Sequence, residues 1–150
     1  MSLCVEILPD HHKHCDDLFV AAENAVQSGN WTIGTKACRR FRAEMEVHFD
    51  AEEGLLFPAF EAATGMTGGP TVMMRMEHRQ MRELLEQLTA ACNEHDQDAY
   101  DGIGETLLML MQQHNMKEEN ILYPMCDQAL GAGAEQVGKE LSMLLGAQHG

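Results

Sequence analysis

Apolar positions recur at helical spacing along almost the whole chain. In the first stretch Leu8, Cys15, Leu18, Phe19, Ala22 and Val26 make one stripe, opened near Pro9-Asp10 and closed by Ser28-Gly29-Asn30. A second stripe starts at Trp31-Thr32 and runs through Phe41, Met45, Leu55, Leu56 and Ala59 to about Thr64. Pro58 interrupts it; a missing N–H and a ring that crowds the preceding turn predict a kink or a local widening there. Gly65-Met66-Thr67-Gly68-Gly69-Pro70 is the clearest break. Thr71 then caps a third helix, with Met74, Met81, Leu85 and Leu88 inward, which runs to about Asn93. After the polar turn at 94–98, a fourth carries Ile103, Leu107, Leu110, Met111, Ile121, Leu122 and Met125, and stops before Gly131-Ala132-Gly133. Residues 134–150 predict one more short helix, with Leu141, Leu144 and Leu145 packing on the rest. There is no strand pattern. The expected fold is all-α: an up-down-up-down four-helix bundle over residues 8–130 with a short C-terminal extension, in a single domain covering 1–150.

Polar residues break these apolar stripes at repeated places. His48-Phe49-Asp50-Ala51-Glu52-Glu53-Gly54-Leu55-Leu56-Phe57-Pro58 and His114-Asn115-Met116-Lys117-Glu118-Glu119-Asn120-Ile121-Leu122-Tyr123-Pro124 share the pattern H-x-x-x-E-E-x-x-L-[FY]-P, 66 residues apart. The same offset places His12 over His78, each followed by a basic residue and then by one acidic and two apolar positions. Each half therefore offers a lone His and, 36 residues later, a His and a Glu at i and i+4 on one helical face. Such a pair can present an imidazole nitrogen and a carboxylate oxygen to one ion. Burying four imidazoles and two carboxylates without a cation would be very costly, so the pattern points to metal at His12, His48, Glu52, His78, His114 and Glu118. His12 has the counterpart at the repeat distance, with His11 as the alternative on that helix. Glu53 and Glu119, at i+5 from the His, are turned further round. Replacing Glu53 or His95 is expected to do little, His95 and His149 reading as solvated side chains. Glu77, Tyr123 and Cys15 are candidates for orienting the ligands or lining a pocket, beside the plainer reading that they simply pack.

Composition narrows the setting. A net charge of −14 argues against nucleic-acid or anionic-membrane partners, and no apolar run approaches the roughly 20 residues that span a bilayer. The start of the chain has no basic and apolar leader pattern. Five cysteines without paired spacing favour reduced thiols, hence a cytoplasmic setting. Twelve methionines read as adaptable core filler.

Six mixed nitrogen and oxygen donors are too many for one structural zinc and too rich in imidazole for magnesium or calcium. Divided between two ions they give each two His, with the carboxylates free to bridge. Iron or manganese with open positions suits that set, with zinc as a substitute.

The chain resembles the hemerythrin-like (HHE cation-binding) family through Asp10-His11-His12, His48-x-x-x-Glu52 with Phe57-Pro58, Glu77-His78, and His114-x-x-x-Glu118 with Tyr123-Pro124. The resemblance covers about residues 8–130. It implies a four-helix bundle around a non-haem di-iron centre, carboxylate- and oxo- or hydroxo-bridged, with His12, His48, His78 and His114 as terminal ligands and Glu52 and Glu118 bridging. Oxygen-carrying members have a second His four residues after the one on the third helix, where this chain has Arg82. One iron would then lack an imidazole and gain an open position or a water, as in iron sensors and in proteins that repair iron–sulfur clusters. The repair proteins also carry an N-terminal cysteine-bearing segment, whereas about ten residues precede His12 here.

The leading expectation is therefore a di-iron protein that binds dioxygen or nitric oxide for sensing, delivery or scavenging. Iron homeostasis or iron–sulfur cluster repair under nitrosative or oxidative stress is an alternative. A di-iron oxidase or peroxidase is another, although no acid–base or nucleophile constellation stands beside the ligands.

Overall fold

The computed structural model describes residues 3–149, with side chains described to residue 146. The elements are α1 (Cys4–Gln27), α2 (Trp31–Ala51), a π-helical turn (Glu52–Leu56), α3 (Phe57–Thr64), α4 (Pro70–Asn93), α5 (Gln97–Lys117), a second π-helical turn (Glu118–Leu122), α6 (Tyr123–Leu130), a 3-10 turn (Gly131–Gly133) and α7 (Ala134–His149). Each π-turn joins two helices end to end, so the chain forms four rods in up-down-up-down order. α1 packs on α2, α2 on α4, and α4 on α5. α7 folds back against α1 and α2. No strand occurs among the described residues, and no helix among them is long and apolar enough to cross a membrane.

Local chemistry sets the boundaries. The Asn30 side chain accepts from the Ile33 N–H at 3.2 Å and starts α2. Asp96 does the same for α5, accepting from Ala99 N–H at 3.1 Å. Gly65, in the left-handed region at φ 74°, ends α3. α1 begins earlier than Pro9-Asp10 predicts. The N–H groups of Cys4 and Val5 both donate to the Asp127 carboxylate, each at 3.1 Å. A cap from the far end of the chain thus satisfies donors that the sequence around them leaves open.

The widening expected near Pro58 is real and lies just upstream of it. Phe57 N–H donates to the Glu52 carbonyl, five residues back. Pro58 has no N–H, and its ring would press on the carbonyl four residues before it; one wide turn relieves that clash. Pro124 produces the same turn, with Tyr123 N–H on the Glu118 carbonyl. In both halves the wide turn opens at the glutamate of the repeated motif.

The bundle holds two apolar clusters. One contains Cys15, Phe19, Phe41, Met45, Phe49, Met81, Leu85, Leu88, Leu107 and Met111. The other contains Leu8, Ala51, Leu56, Phe57, Met74, Leu122 and Tyr123, and is closed by Leu141 and Leu145 of α7. Along every rod the motif histidines sit between the two, so a polar layer divides the core. Ile121 and Leu144, expected inside, are 57% and 49% exposed. Met45, Met74, Met81 and Met111 are core residues, but Met73, Met76, Met109, Met116 and Met143 face solvent, so filling the core accounts for only part of the methionine content. All five cysteines are free and buried.

Leu88 is 1% exposed and lies in the cluster away from α7. Leu88→Ala is expected to cost about 2–5 kcal/mol, read as a lower denaturant midpoint with helical content retained in water.

Candidate metal centre

The polar layer is built by one residue or pair from each rod. His12 of α1 and His78 of α4 come singly. α2 and α5 each supply a His on their last turn and a Glu on the first residue of the following π-turn. Glu52, Glu118 and His78 are 0% exposed, His48 and His114 2%, and His12 5%. The structure brings all six named residues together. His78 Nε2 lies 3.0 Å from Glu52 Oε1, His114 Nε2 3.2 Å from Glu118 Oε1, and His12 Nε2 3.1 Å from the same oxygen. His48 Nε2 is 3.5 Å from Glu52 Oε2.

These atoms fall into two overlapping groups. One donor each from Glu52, His78, His114 and Glu118 lie within 4.8 Å of one another, as do donors from His12, His48 and Glu118. Glu118 belongs to both. Glu52 Oε1, His78 Nε2, His114 Nε2 and Glu118 Oε2 are buried and have no hydrogen-bond partner among the described residues. His78 Nε2 and Glu52 Oε1 are close enough to bond but do not face each other. Four buried polar atoms facing a common point without partners are costly unless a cation takes them, and the donor set of imidazole and carboxylate fits iron or manganese.

The outer nitrogens are held too. His12 Nδ1 meets Glu119 Oε2 at 2.7 Å, His78 Nδ1 meets Glu53 Oε2 at 2.6 Å, and His114 Nδ1 meets Glu77 Oε1 at 2.7 Å. With Nε2 turned inward, each Nδ1–H donates to its carboxylate, which fixes the ring and raises its basicity. This corrects the expectation for Glu53 and Glu119: both hold candidate ligands of another helix. Surface cations brace two of these acids. Lys117 Nζ is 2.6 Å from Glu77 Oε2. Arg82 reaches Glu53 at 2.8 Å, Glu46 at 3.1 Å and Asp50 at 3.2 Å, and lies over the Phe49 ring.

His48 has a different outer partner. Its Nδ1 lies 2.9 Å from His11 Nδ1, and His11 Nε2 is 3.4 Å from Glu44 Oε1, which also lies 3.1 Å from His14 Nε2. His11 thus backs His48 instead of joining the inner six. Cys15 Sγ lies 3.8 Å from His11 Nδ1. Tyr123, a candidate for orienting the ligands or lining a pocket, lies inside the layer: its hydroxyl is 2.6 Å from Glu52 Oε2 and 2.8 Å from Glu118 Oε1. His95 is exposed but stacks on Trp31, with ring centres 5.0 Å apart. The expectation for His149 falls on a side chain outside the described residues. A cavity of about 30 Å³ lies against His114, between Glu77, Met81, Leu110 and Lys117, enough for a water or a diatomic molecule.

Burial and charge pull in opposite directions here. Burial alone would lower His12, but its bonds to Glu118 and Glu119 carry it up to about 9. Burial is likewise outweighed at His78, where Glu52 and Glu53 bring it to about 9. Burial wins at His48, which is lowered. It pushes Glu52 up, but the imidazoles of His48 and His78 hold that carboxyl well below its usual range.

Residues 4–126 match the hemerythrin HHE cation binding domain, and the chain belongs to that family. A relative from Edwardsiella ictaluri (strain 93-146) named iron-sulfur cluster repair protein YtfE is 32% identical over 142 residues, which cover 81% of this chain and 63% of that protein. The chain thus spans less than two thirds of that relative's length. No solved structure matches.

In the metal-free protein, His12 and His78 titrate near 9 against an ordinary 6.5. Protonated rings stabilise the fold fully below about 6.5, and that contribution is lost as pH rises through 9. The denaturant midpoint of chelator-treated protein should therefore fall between pH 6.5 and 9. Glu119→Gln, which removes one acceptor from His12, should flatten part of that slope.

Proposed function

We propose that this protein is a non-haem di-iron protein that binds a small diatomic ligand, dioxygen or nitric oxide, for sensing, delivery or scavenging. The observation that supports it most is the convergence of orphaned, buried donor atoms on one polar layer. Glu52, His78, His114 and Glu118 hold one iron. His12 and His48, with Glu118, would hold the other, Glu118 belonging to both groups. Manganese or zinc can occupy the same donors. Reduced iron with an open position supplies reversible or redox binding of O2 or NO. The chain's own side chains do the rest: Glu53, Glu77 and Glu119 orient three imidazoles, and the apolar clusters on either side exclude bulk water. Arg82, at the place where the family's oxygen carriers add an imidazole, is drawn to Glu46, Asp50 and Glu53 and adds none here.

A second reading, iron–sulfur cluster repair, is favoured by the name of the Edwardsiella relative. The two differ in what the reduced protein does to a third party. Recovery of activity in an enzyme whose cluster has been nitrosylated would favour repair. A spectral change confined to this protein on mixing with O2 or NO favours binding.

Protein purified without affinity metals should carry close to two iron atoms per chain. His48→Ala and Glu118→Ala should each lose about one of them. Glu53→Gln and Glu119→Gln should keep both but release them about 10–100-fold more readily to a chelator, while His95→Ala should match the wild type. Equal iron content and release in all of these proteins would refute the assignment, and so would reduced protein whose spectrum ignores both gases.

A further inference from the structure

We propose that Tyr123 is itself a ligand of the ion held by His12 and His48, binding through its phenol oxygen. This rests on the two-ion reading above and extends its donor set.

The two halves of the chain differ at this point by one oxygen. Residues 57 and 123 are equivalent in the 66-residue repeat, one Phe and the other Tyr. Both are fully buried, and the backbone of each is fixed by its N–H on the carbonyl of the motif glutamate. Phe57 packs beside His78, with ring centres 5.7 Å apart. Tyr123 packs in the same way beside His12, at 5.8 Å, but carries a hydroxyl into the polar layer. That oxygen lies 2.6 Å from Glu52 Oε2, 2.8 Å from Glu118 Oε1, 3.2 Å from His12 Nε2 and 3.3 Å from His48 Nε2.

Hydrogen bonding alone does not account for four such neighbours. A hydroxyl has one proton to give. If it goes to Glu52, the contact with Glu118 sets lone pair against lone pair. A protonated His12 can donate its Nε2–H to the phenol oxygen, but the contact with Glu118 is then still left without a proton. Donor atoms of Tyr123, His12, His48 and Glu118 pointed at one cation resolve this. Neighbouring ligands at right angles on bonds of about 2.1 Å stand about 3 Å apart, which matches the spread around this oxygen. The orphaned atoms point the same way. Glu52 Oε1, His78 Nε2, His114 Nε2 and Glu118 Oε2, on the Phe57 side, lack partners, whereas His12 Nε2, His48 Nε2, Glu118 Oε1 and Glu52 Oε2 all meet the phenol. On coordination the phenol O–H bond breaks as the oxygen–metal bond forms. The proton leaves to solvent, and no electron is transferred.

The chain has two tyrosines, and Tyr100 packs in the apolar cluster away from the site. Wild-type, Tyr123→Phe and Tyr100→Phe proteins are loaded with iron and oxidised to the ferric state; iron content, visible absorption and resonance Raman spectra are recorded. Wild type and Tyr100→Phe should show a phenolate-to-iron charge-transfer band that enhances tyrosine ring modes, and Tyr123→Phe should lose it. Ferric wild type that holds two irons without such a band overturns the inference and leaves the di-iron reading standing; Tyr123 is then a hydrogen-bond donor only. A band that survives in Tyr123→Phe overturns it as well. Protein that takes up no iron overturns both. The wild-type spectrum decides the matter even if a variant folds poorly, and circular dichroism of each metal-free variant checks that point.

Discussion

Two carboxylates and four imidazoles sit in a layer almost sealed from water between two apolar clusters. That burial is the constraint on which the rest of this structure depends. Ionised carboxylates lose several kcal/mol of solvation in such a place unless something replaces the water. In the metal-free chain protons do this in part: His12 and His78 are held protonated well above the usual range by the acids around them. A proton satisfies one direction of one atom, so donors such as Glu118 Oε2 still face inward with nothing to meet. A divalent or trivalent ion satisfies several at once. The rods are clamped on either side of the layer by the two apolar clusters.

Outside the layer a ring of opposite design holds the imidazoles in place. Glu53, Glu77 and Glu119 are partly solvated, so their charge is cheap to keep, yet each reaches a buried Nδ1. Arg82 and Lys117 then tie two of these acids to the surface. The −14 net charge therefore includes acids with a definite structural task. Arg82 has one too: it holds Glu53 from the outside while Glu53 meets His78.

Much of this was legible in the sequence. Spacing of four on one helix and a repeat of 66 located all six inner residues, because both regularities follow from helix geometry and from the near two-fold plan of the bundle. Pro58 signalled the wide turn. The outer partners were not legible, and Glu53 shows why. A residue next to Glu52 is turned about 100° round the helix, which looks like a reason to dismiss it. But an imidazole has two nitrogens on opposite edges. When one edge faces the centre, the other faces the flank of the neighbouring rod, which is where Glu53 and Glu119 lie. Their partners are 25 and 107 residues away, beyond any pattern along one helix. The early start of α1 was hidden for the same reason, since its cap, Asp127, belongs to α6.

His48 departs from the pattern of its three counterparts, and the consequence can be followed through hydrogen positions. If His48 gives Nε2 to an ion, its Nδ1 carries the proton and must donate to His11 Nδ1 at 2.9 Å. His11 Nδ1 is then an acceptor, so its proton sits on Nε2 and points to Glu44. This argues against a third ion on His11, Glu44 and His14, even though those groups gather closely. An ion on His11 Nε2 would move the ring's proton to Nδ1 and set two N–H groups face to face. The cluster is therefore an extension of the centre. His12, His78 and His114 lean directly on a carboxylate, whereas His48 feels Glu44 only through a second, neutral ring. A hydrogen bond to a neutral acceptor raises ligand basicity less than one to a charged acceptor. Of the four imidazoles, His48 alone leans on no carboxylate through its outer nitrogen, and it stands on the side of the layer where the Tyr123 hydroxyl lies.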